Sequence, residues 1–150
     1  MALLNYTTTV AVEKTVGEIQ RMLAKSSARS IQTDYDAEGE PVALAFQVEV
    51  RGALVGYRLP ANIEVVHKTL LQQYNQGKVQ RRFVTREQAA RVGWRILKDW
   101  TEAQVALLET RMVSLDELLL PWMIAGQNGE TLYQLFESSQ LALPGGSAIP

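Results

Sequence analysis

The chain has 150 residues, of which 47% are apolar, with a formal net charge of −1 and no cysteine. This length suits one domain with one core, and the absence of cysteine excludes disulfides, thiolate metal sites and cysteine nucleophiles. Because no apolar run reaches about 18 residues and the N-terminus lacks a signal-peptide pattern, we expect a soluble, cytoplasmic protein that does not bind membranes.

Residues 5–60 predict a β-α-β-β-β antiparallel sheet unit. The run Tyr6–Val12 alternates aromatic or β-branched positions in period two, which favours a first, half-buried strand. Thr15 and Glu18 have the spacing of a capping box, so we expect a short helix from Thr15 to about Ser26.

Three more strands are expected after this helix. Residues 31–35 predict the second, and the unbroken alternation over residues 42–50 predicts the third. Gly52 supplies a tight turn into the fourth strand, residues 53–59, which Pro60 ends.

Residues 62–140 predict a helical C-terminal half. Apolar stripes at helical spacing, together with capping residues and helix breakers, indicate about four helices. We expect them to begin after Asn62, Thr85, Ser114 and Thr131, with Pro121 kinking or ending the third. The whole is an α+β fold with a single domain over residues 1–143, followed by a flexible tail at residues 144–150.

Positive charge is concentrated in residues 78–98, which carry a net charge of +6, whereas the rest of the chain carries −7. Arginine suits phosphate and carboxylate groups, and the N-terminus of a helix favours anions, so this segment is the candidate anion-binding site. The candidate residues are Lys78, Arg81, Arg82, Arg86, Arg91, Trp94 and Arg95.

Part of this segment has a simpler interpretation. Arg95 with Asp99 and Lys98 with Glu102 stand four residues apart, which predicts ordinary pairing on a helix surface. Trp94 falls at the edge of the apolar arc, where it would either pack on a neighbouring helix or cover a bound ligand. The hypothesis therefore depends most on residues 78–91, with Trp94 as a lid.

No catalytic or metal site is predicted. His67 is the only histidine and lies within an amphipathic helix, and the acidic residues Asp36, Glu38 and Glu40 fall in a turn. The glycines form neither a phosphate loop nor a dinucleotide fingerprint. We therefore expect a protein that is not an enzyme and uses no cofactor.

The run from Gln88 to Gln104, together with residues 112–117 and Leu120-Pro121, resembles a family of small uncharacterised proteins of phages and prophage-like elements. The resemblance extends over most of the chain. It implies a virus or mobile element in a bacterial cell, and it implies no activity or functional residue.

Three hypotheses follow from the sequence. The first is a non-catalytic binding protein of a phage or mobile element, an anti-defence factor that sequesters an anionic nucleotide signal or blocks an acidic host protein. The second is a DNA- or RNA-binding accessory of phage replication or recombination. The third is a structural homo-oligomer whose long helix buries Trp94, Trp100 and Leu107 against a second copy.

Overall fold

A computed structural model describes residues 1–139 of the chain, which form an α+β fold. Three strands make an antiparallel sheet, one helix precedes it and four follow it. The elements are α1 (Val12–Lys25), β1 (Ala28–Tyr35), β2 (Pro41–Val50), β3 (Ala53–Pro60), α2 (Ile63–Asn75), α3 (Arg86–Glu109), α4 (Leu115–Leu119) and α5 (Leu132–Ser139). The order α-β-β-β replaces the predicted β-α-β-β-β. The predicted tail at residues 144–150 lies outside the described residues.

The predicted first strand is wrong, because residues 4–7 form a turn and α1 already begins at Val12. The backbone carbonyls of Tyr6 and Thr8 accept hydrogen bonds of 2.8 and 2.9 Å from the side-chain amide of Gln88 in α3. A strand needs backbone partners on a neighbouring strand, and here a side chain 80 or more residues away satisfies two of these groups. The period-two pattern of residues 6–12 cannot reveal a partner that lies so far away in the sequence.

Thr15 also differs from its predicted role as a helix cap. It lies one turn inside α1, is fully buried, and donates its hydroxyl to the carbonyl of Ala11 at 3.4 Å. The N-cap position is Ala11, which offers no side-chain hydrogen bond. The N-cap therefore lies four residues earlier than the capping pattern predicts.

The sheet confirms the predicted hairpin and turn. Strand order is β1-β2-β3, and β2 pairs with β3 from Ala43 opposite Pro60 to Val50 opposite Ala53. Gly52 has φ of +83° in the connecting turn, a conformation that glycine adopts without steric cost. Alternate residues of each strand point to opposite faces, so one face is apolar and packed and the other is polar.

The edge of β3 is covered by a short hairpin near the C-terminus. The backbone N–H of Ile124 donates to the carbonyl of Gly56 at 2.7 Å, and Leu132 donates to Met123 at 2.7 Å. Isolated antiparallel bridges join Tyr57 to Met123 and Ile124 to Thr131. Covering an edge in this way removes unpaired backbone groups that would otherwise invite aggregation.

One cluster of buried apolar side chains lies between the packed face of the sheet and the helices. It includes Ile19 of α1, Phe46 of β2, Leu70 of α2 and Trp94 of α3, all at most 2% exposed. Helix α3 packs against both α1 and α2. Because α3 has neighbours on two sides, its first turns leave little surface facing solvent.

Several predicted helix starts are confirmed. Thr85 accepts a hydrogen bond from the backbone N–H of Gln88, and Ser114 forms a complete capping box with Glu117. Helix α4 is only five residues long, and a 3₁₀ turn, Leu120–Trp122, follows it at Pro121. As far as residue 139, the C-terminal half thus has four α-helices, one of which is a little over a single turn.

Candidate functional site

The fold divides the predicted anion-binding segment into two environments. Arg95, in α3, reaches across to α1, where its guanidinium lies 2.8 Å from the carboxylate of Glu18 and 3.3 Å from the hydroxyl of Thr15. The Arg95 side chain is 17% exposed. It therefore acts as a tether between two helices, and the predicted pair with Asp99 does not form. Asp99 instead accepts a hydrogen bond of 2.7 Å from the amide of Asn5.

The cations at the start of α3 are also engaged. Arg86 forms an ion pair with Glu64 of α2, and Nε of Arg91 donates to the side-chain carbonyl of Gln88 at 2.9 Å. The guanidinium of Arg86 donates a hydrogen bond that holds the pKa of Glu64 below its ordinary value. Lys98 contacts Glu102 at 2.8 Å, as the spacing predicts.

Arg86 and Arg91 line a cleft of about 410 Å³ at the N-terminal ends of α1 and α3. Four carboxylates share that cleft with the two arginines, so it is a poor site for an anion. These acidic residues are Glu13, Asp36, Glu40 and Glu87.

Lys78, Arg81 and Arg82 are in a different situation, and we call these three residues the basic patch. They lie on the connection between α2 and α3 and are exposed. Within residues 1–139, none of the three has a carboxylate within ion-pair distance, and none lines the clefts described here. Their positive charge is therefore directed to solvent.

Apolar contacts hold the connection that carries the basic patch. Val79 is 7% exposed, and the ring of Phe83 meets that of Tyr6 edge to face at 5.4 Å. The guanidinium of Arg82 stacks over Phe83 at 4.7 Å from the ring centroid. Nε2 of His67 lies 3.0 Å from the carbonyl of Val84, so this histidine joins α2 to the connection.

Trp94 is placed differently from its predicted position at the edge of the apolar arc. It is 1% exposed, and its indole N–H donates to the carbonyl of Pro41 at 3.3 Å. A side chain this deeply buried cannot cover a ligand on the surface. The helical wheel missed this because α3 is enclosed by α1 and α2, so its buried arc is wider than that of a helix with one neighbour.

The predicted acidic turn is confirmed as a turn. The carboxylate of Asp36 accepts hydrogen bonds of 2.9 Å from the backbone N–H groups of Glu38 and Glu40. Within residues 1–139, no group of three acidic or histidine side chains has the geometry to hold a metal ion.

The sequence interpretation missed a second concave region, on the polar face of the sheet. This cleft of about 780 Å³, here called the sheet-face cleft, is bounded by the three strands, the 124–130 hairpin and α5. The polar positions that line this cleft alternate with the core positions of the strands. This alternation is the only feature of the sequence that indicates the cleft. The hairpin that forms its far wall comes from a region more than 60 residues away.

Comparisons of the chain with protein-family models, with curated proteins and with solved structures found no match. The phage-protein resemblance therefore stays a prediction. Within residues 1–139, no helix combines the length and the hydropathy that crossing a membrane requires.

Proposed function

We propose that the protein is a non-catalytic binding protein whose basic patch docks on an acidic surface of another protein. The observation that carries the proposal is the contrast within one cationic segment: Arg86, Arg91 and Arg95 bind polar side chains of the same chain, whereas Lys78, Arg81 and Arg82 face solvent and have no carboxylate partner within residues 1–139. In the setting that the phage resemblance implies, the partner is a host protein that an anti-defence factor blocks.

The number of exposed cations favours a protein partner over a nucleic acid. Each phosphate neutralised contributes about −0.9 to the slope of log K against log salt, so three cations give a slope of about −2.7. A protein that makes about 6–10 phosphate contacts, by comparison, loses about 10³–10⁵ in affinity between 50 and 200 mM salt. The acidic remainder of the chain also opposes binding to an extended polyanion.

The shape of the basic patch favours a partner surface over a single nucleotide. A nucleotide is held in a concave site, and the basic patch lines neither the cleft beside Arg86 and Arg91 nor the sheet-face cleft. Trp94, the candidate for stacking on a base, is in the core. The sequestration of a nucleotide signal thus has less support than the docking of an acidic protein surface.

Two of the three side chains that the homo-oligomer hypothesis places at the interface already pack within the protomer. Trp94 is buried within the protomer, and Trp100 packs edge to face on Trp122 with ring centroids 5.0 Å apart. Trp94 is therefore engaged by the core and Trp100 by Trp122, which gives this hypothesis less support. Light scattering of the purified protein measures the oligomeric state directly.

The test measures binding of two labelled probes by fluorescence anisotropy: an acidic peptide rich in glutamate and aspartate, and single-stranded DNA of the same net charge. We expect the peptide to bind and the triple variant Lys78→Glu, Arg81→Glu, Arg82→Glu to lose that binding. Isothermal titration with cyclic and linear nucleotides gives the corresponding measurement for a small anion, for which we expect no heat.

The matched control reverses three exposed cations of α1 in the variant Lys14→Glu, Arg21→Glu, Lys25→Glu. It changes the net charge by the same amount at a different place, and we expect it to keep most of the affinity. If both variants weaken binding equally, only net charge matters and a defined docking surface is contradicted. Tighter binding to DNA, with a steep salt dependence, favours the nucleic-acid hypothesis instead.

A further inference from the structure

The sheet-face cleft has the size of a small-molecule site and lies apart from the basic patch. Its volume of about 780 Å³ falls within the range of about 300–1,000 Å³ that is usual for ligand pockets. Five of its lining side chains are uncharged and polar. They are Ser30, Gln32, Gln47, Asn128 and Gln134.

The cleft exists because its floor is made of small residues. Ala45 of β2 lies opposite Arg58 of β3, and Gly56 of β3 lies opposite Gln47 of β2. A Cβ atom at Gly56 would come within 3.3 Å of Cδ1 of Ile124, so glycine lets that side chain lie over the sheet. Ala45 and Ile124 together give the cleft an apolar surface beside its polar rim.

The amide side chains on the sheet are each held at one end. Nε2 of Gln32 donates to the carboxylate of Asp34 at 2.7 Å, and the carbonyl of Gln47 accepts from the hydroxyl of Ser30 at 3.1 Å. Within residues 1–139, the Gln32 carbonyl and the Gln47 amide N–H groups have no further side-chain partner. These groups are therefore positioned in advance as one acceptor and one donor.

The opposite wall is arranged in the same way. The Gln134 carbonyl accepts the backbone N–H of Thr131 at 2.9 Å, which directs its amide N–H groups elsewhere. Arg58 donates from Nε to Asp34 at 3.3 Å. In the described part of the chain, no acceptor is within reach of the two Nη groups of Arg58. Such preorganised groups bind a ligand with little loss of side-chain entropy.

The charges of the cleft disfavour anionic ligands. The charge of Arg58 is matched by that of Asp34, and Glu130 adds a carboxylate that has no ion pair within residues 1–139. The cleft also lacks a platform for stacking a nucleobase, because Phe46, the only aromatic residue along it in the described chain, is 2% exposed. The ligand should therefore be neutral, polar and not aromatic.

We propose that the sheet-face cleft binds a neutral saccharide. Hydroxyl groups both donate and accept hydrogen bonds, which matches a rim of amides, a carboxylate and a guanidinium. The C–H faces of a sugar ring fit the apolar surface of Ala45 and Ile124. The inference is independent of the basic patch, since no residue is shared between the two sites.

The test is NMR titration of the isotopically labelled full chain with maltose, cellobiose and N,N′-diacetylchitobiose. Probe concentrations up to about 10 mM detect dissociation constants near 1 mM. We expect at least one disaccharide to shift the side-chain amide resonances of Gln32, Gln47 and Gln134 in a saturable manner.

Two variants separate the cleft from the rest of the surface. Ala45→Trp fills the floor, and we expect it to raise the dissociation constant at least tenfold. Leu54→Trp is the matched control, because Leu54 is 61% exposed, lies on the same face of the sheet and does not line the cleft. If Ala45→Trp does not fold, Gln47→Glu replaces it. It removes the amide donor at nearly unchanged volume, and the same tenfold loss is expected.

The proposal is overturned if no disaccharide shifts these resonances, if the shifts map outside the cleft, or if Ala45→Trp and Leu54→Trp behave alike. An acetylated alanine tripeptide amide serves as a second neutral probe. If it alone shifts the cleft resonances, the site binds polypeptide and the saccharide assignment is wrong.

Discussion

The basic patch and the first turns of α3 have the same kind of side chains and opposite surroundings. Arg86 and Arg95 in α3 reach acidic residues on α2 and α1. Lys78 and Arg81, a few residues earlier, have no such neighbour within residues 1–139. Position relative to other elements, rather than local charge density, decides which cations are available to a partner.

The long-range pairs explain why this division is invisible in the sequence. Arg95 and Glu18 are 77 residues apart, and Arg86 and Glu64 are 22 apart. A local reading pairs Arg95 with Asp99 because they stand one turn apart on the same helix. In the fold, the side chain of Arg95 faces α1, where a carboxylate and a hydroxyl are both within reach.

The largest effect that tests this contrast is expected at Trp94, in the same stretch of α3. Trp94→Ala should lower the free energy of unfolding by about 3–5 kcal/mol, because it leaves a cavity in the core and an unpaired carbonyl at Pro41. Urea denaturation followed by circular dichroism measures the loss. Tyr74→Ala, at a side chain that is 38% exposed, is the control. A similar small loss for both variants would contradict the burial of Trp94.

Gln88→Ala should cost about 1–3 kcal/mol, because it leaves the carbonyls of Tyr6 and Thr8 without their hydrogen-bond donor. Amide hydrogen exchange should also become faster in residues 1–11. Gln72→Ala is the control, since Gln72 is exposed on α2. Unchanged exchange at the N-terminus in Gln88→Ala would show that these two hydrogen bonds do not hold the segment.

Arg95→Ala should also destabilise the fold, by about 1–3 kcal/mol, since it leaves the partly buried Glu18 carboxylate without its cation. Lys98→Ala, which breaks a pair with Glu102, a side chain that is 63% exposed, should cost about 0.3–0.5 kcal/mol. The comparison of the two variants by urea denaturation measures how far the tether differs from surface pairing. Equal losses would place Arg95 among the ordinary surface cations.

A smaller effect is expected from the pair between Arg86 and Glu64. Because the folded pKa of Glu64 lies below its ordinary value of 4.5, the pair stabilises the fold above that pH. Its contribution is lost as the pH falls through the folded pKa. Arg86→Ala should raise the pKa of Glu64, which a carboxyl carbon NMR titration measures. Arg81→Ala should leave it unchanged, and a rise in that variant would link the basic patch to α2.

The smallest effect is expected from the basic patch itself. In the triple variant Lys78→Glu, Arg81→Glu, Arg82→Glu, each substitution should change the free energy of unfolding by no more than about 0.5 kcal/mol, the usual range for an exposed position. Urea denaturation measures it beside Arg95→Ala. A loss as large as that of Arg95→Ala would mean that the patch is part of the fold and is not reserved for a partner.

The local features of the fold were predictable because their causes are local. The alternation around Phe46 predicts β2, Gly52 predicts the hairpin turn, and the capping box of Ser114 with Glu117 predicts the start of α4. Each of these signals depends on residues within a few positions of one another. Gly77 is another local signal: it lies just after the end of α2 and has φ of +74°.

Apart from the capping pattern of Thr15 and Glu18, the failures involve groups whose partners are distant in the sequence. Residues 6–12 have the pattern of a strand, yet Gln88 satisfies two of their carbonyls. A helical wheel places Trp94 at the edge of the apolar arc of α3. In the fold this side chain is buried, because α3 has neighbours on two sides. Of the predicted anion-binding cations within residues 1–139, Lys78, Arg81 and Arg82 are exposed and have no carboxylate partner, whereas Arg86 is exposed but paired with Glu64. The sheet-face cleft combines strands with a hairpin that no local pattern connects.

The hydrogen bonds from Gln88 to the N-terminal segment impose an order on folding during synthesis. The carbonyls of Tyr6 and Thr8 leave the ribosome first, and the side chain that satisfies them is made about 80 residues later. At about 5–20 residues per second, that interval lasts on the order of several seconds. Until Gln88 is made, these two carbonyls lack the side-chain donor that satisfies them in the folded protein.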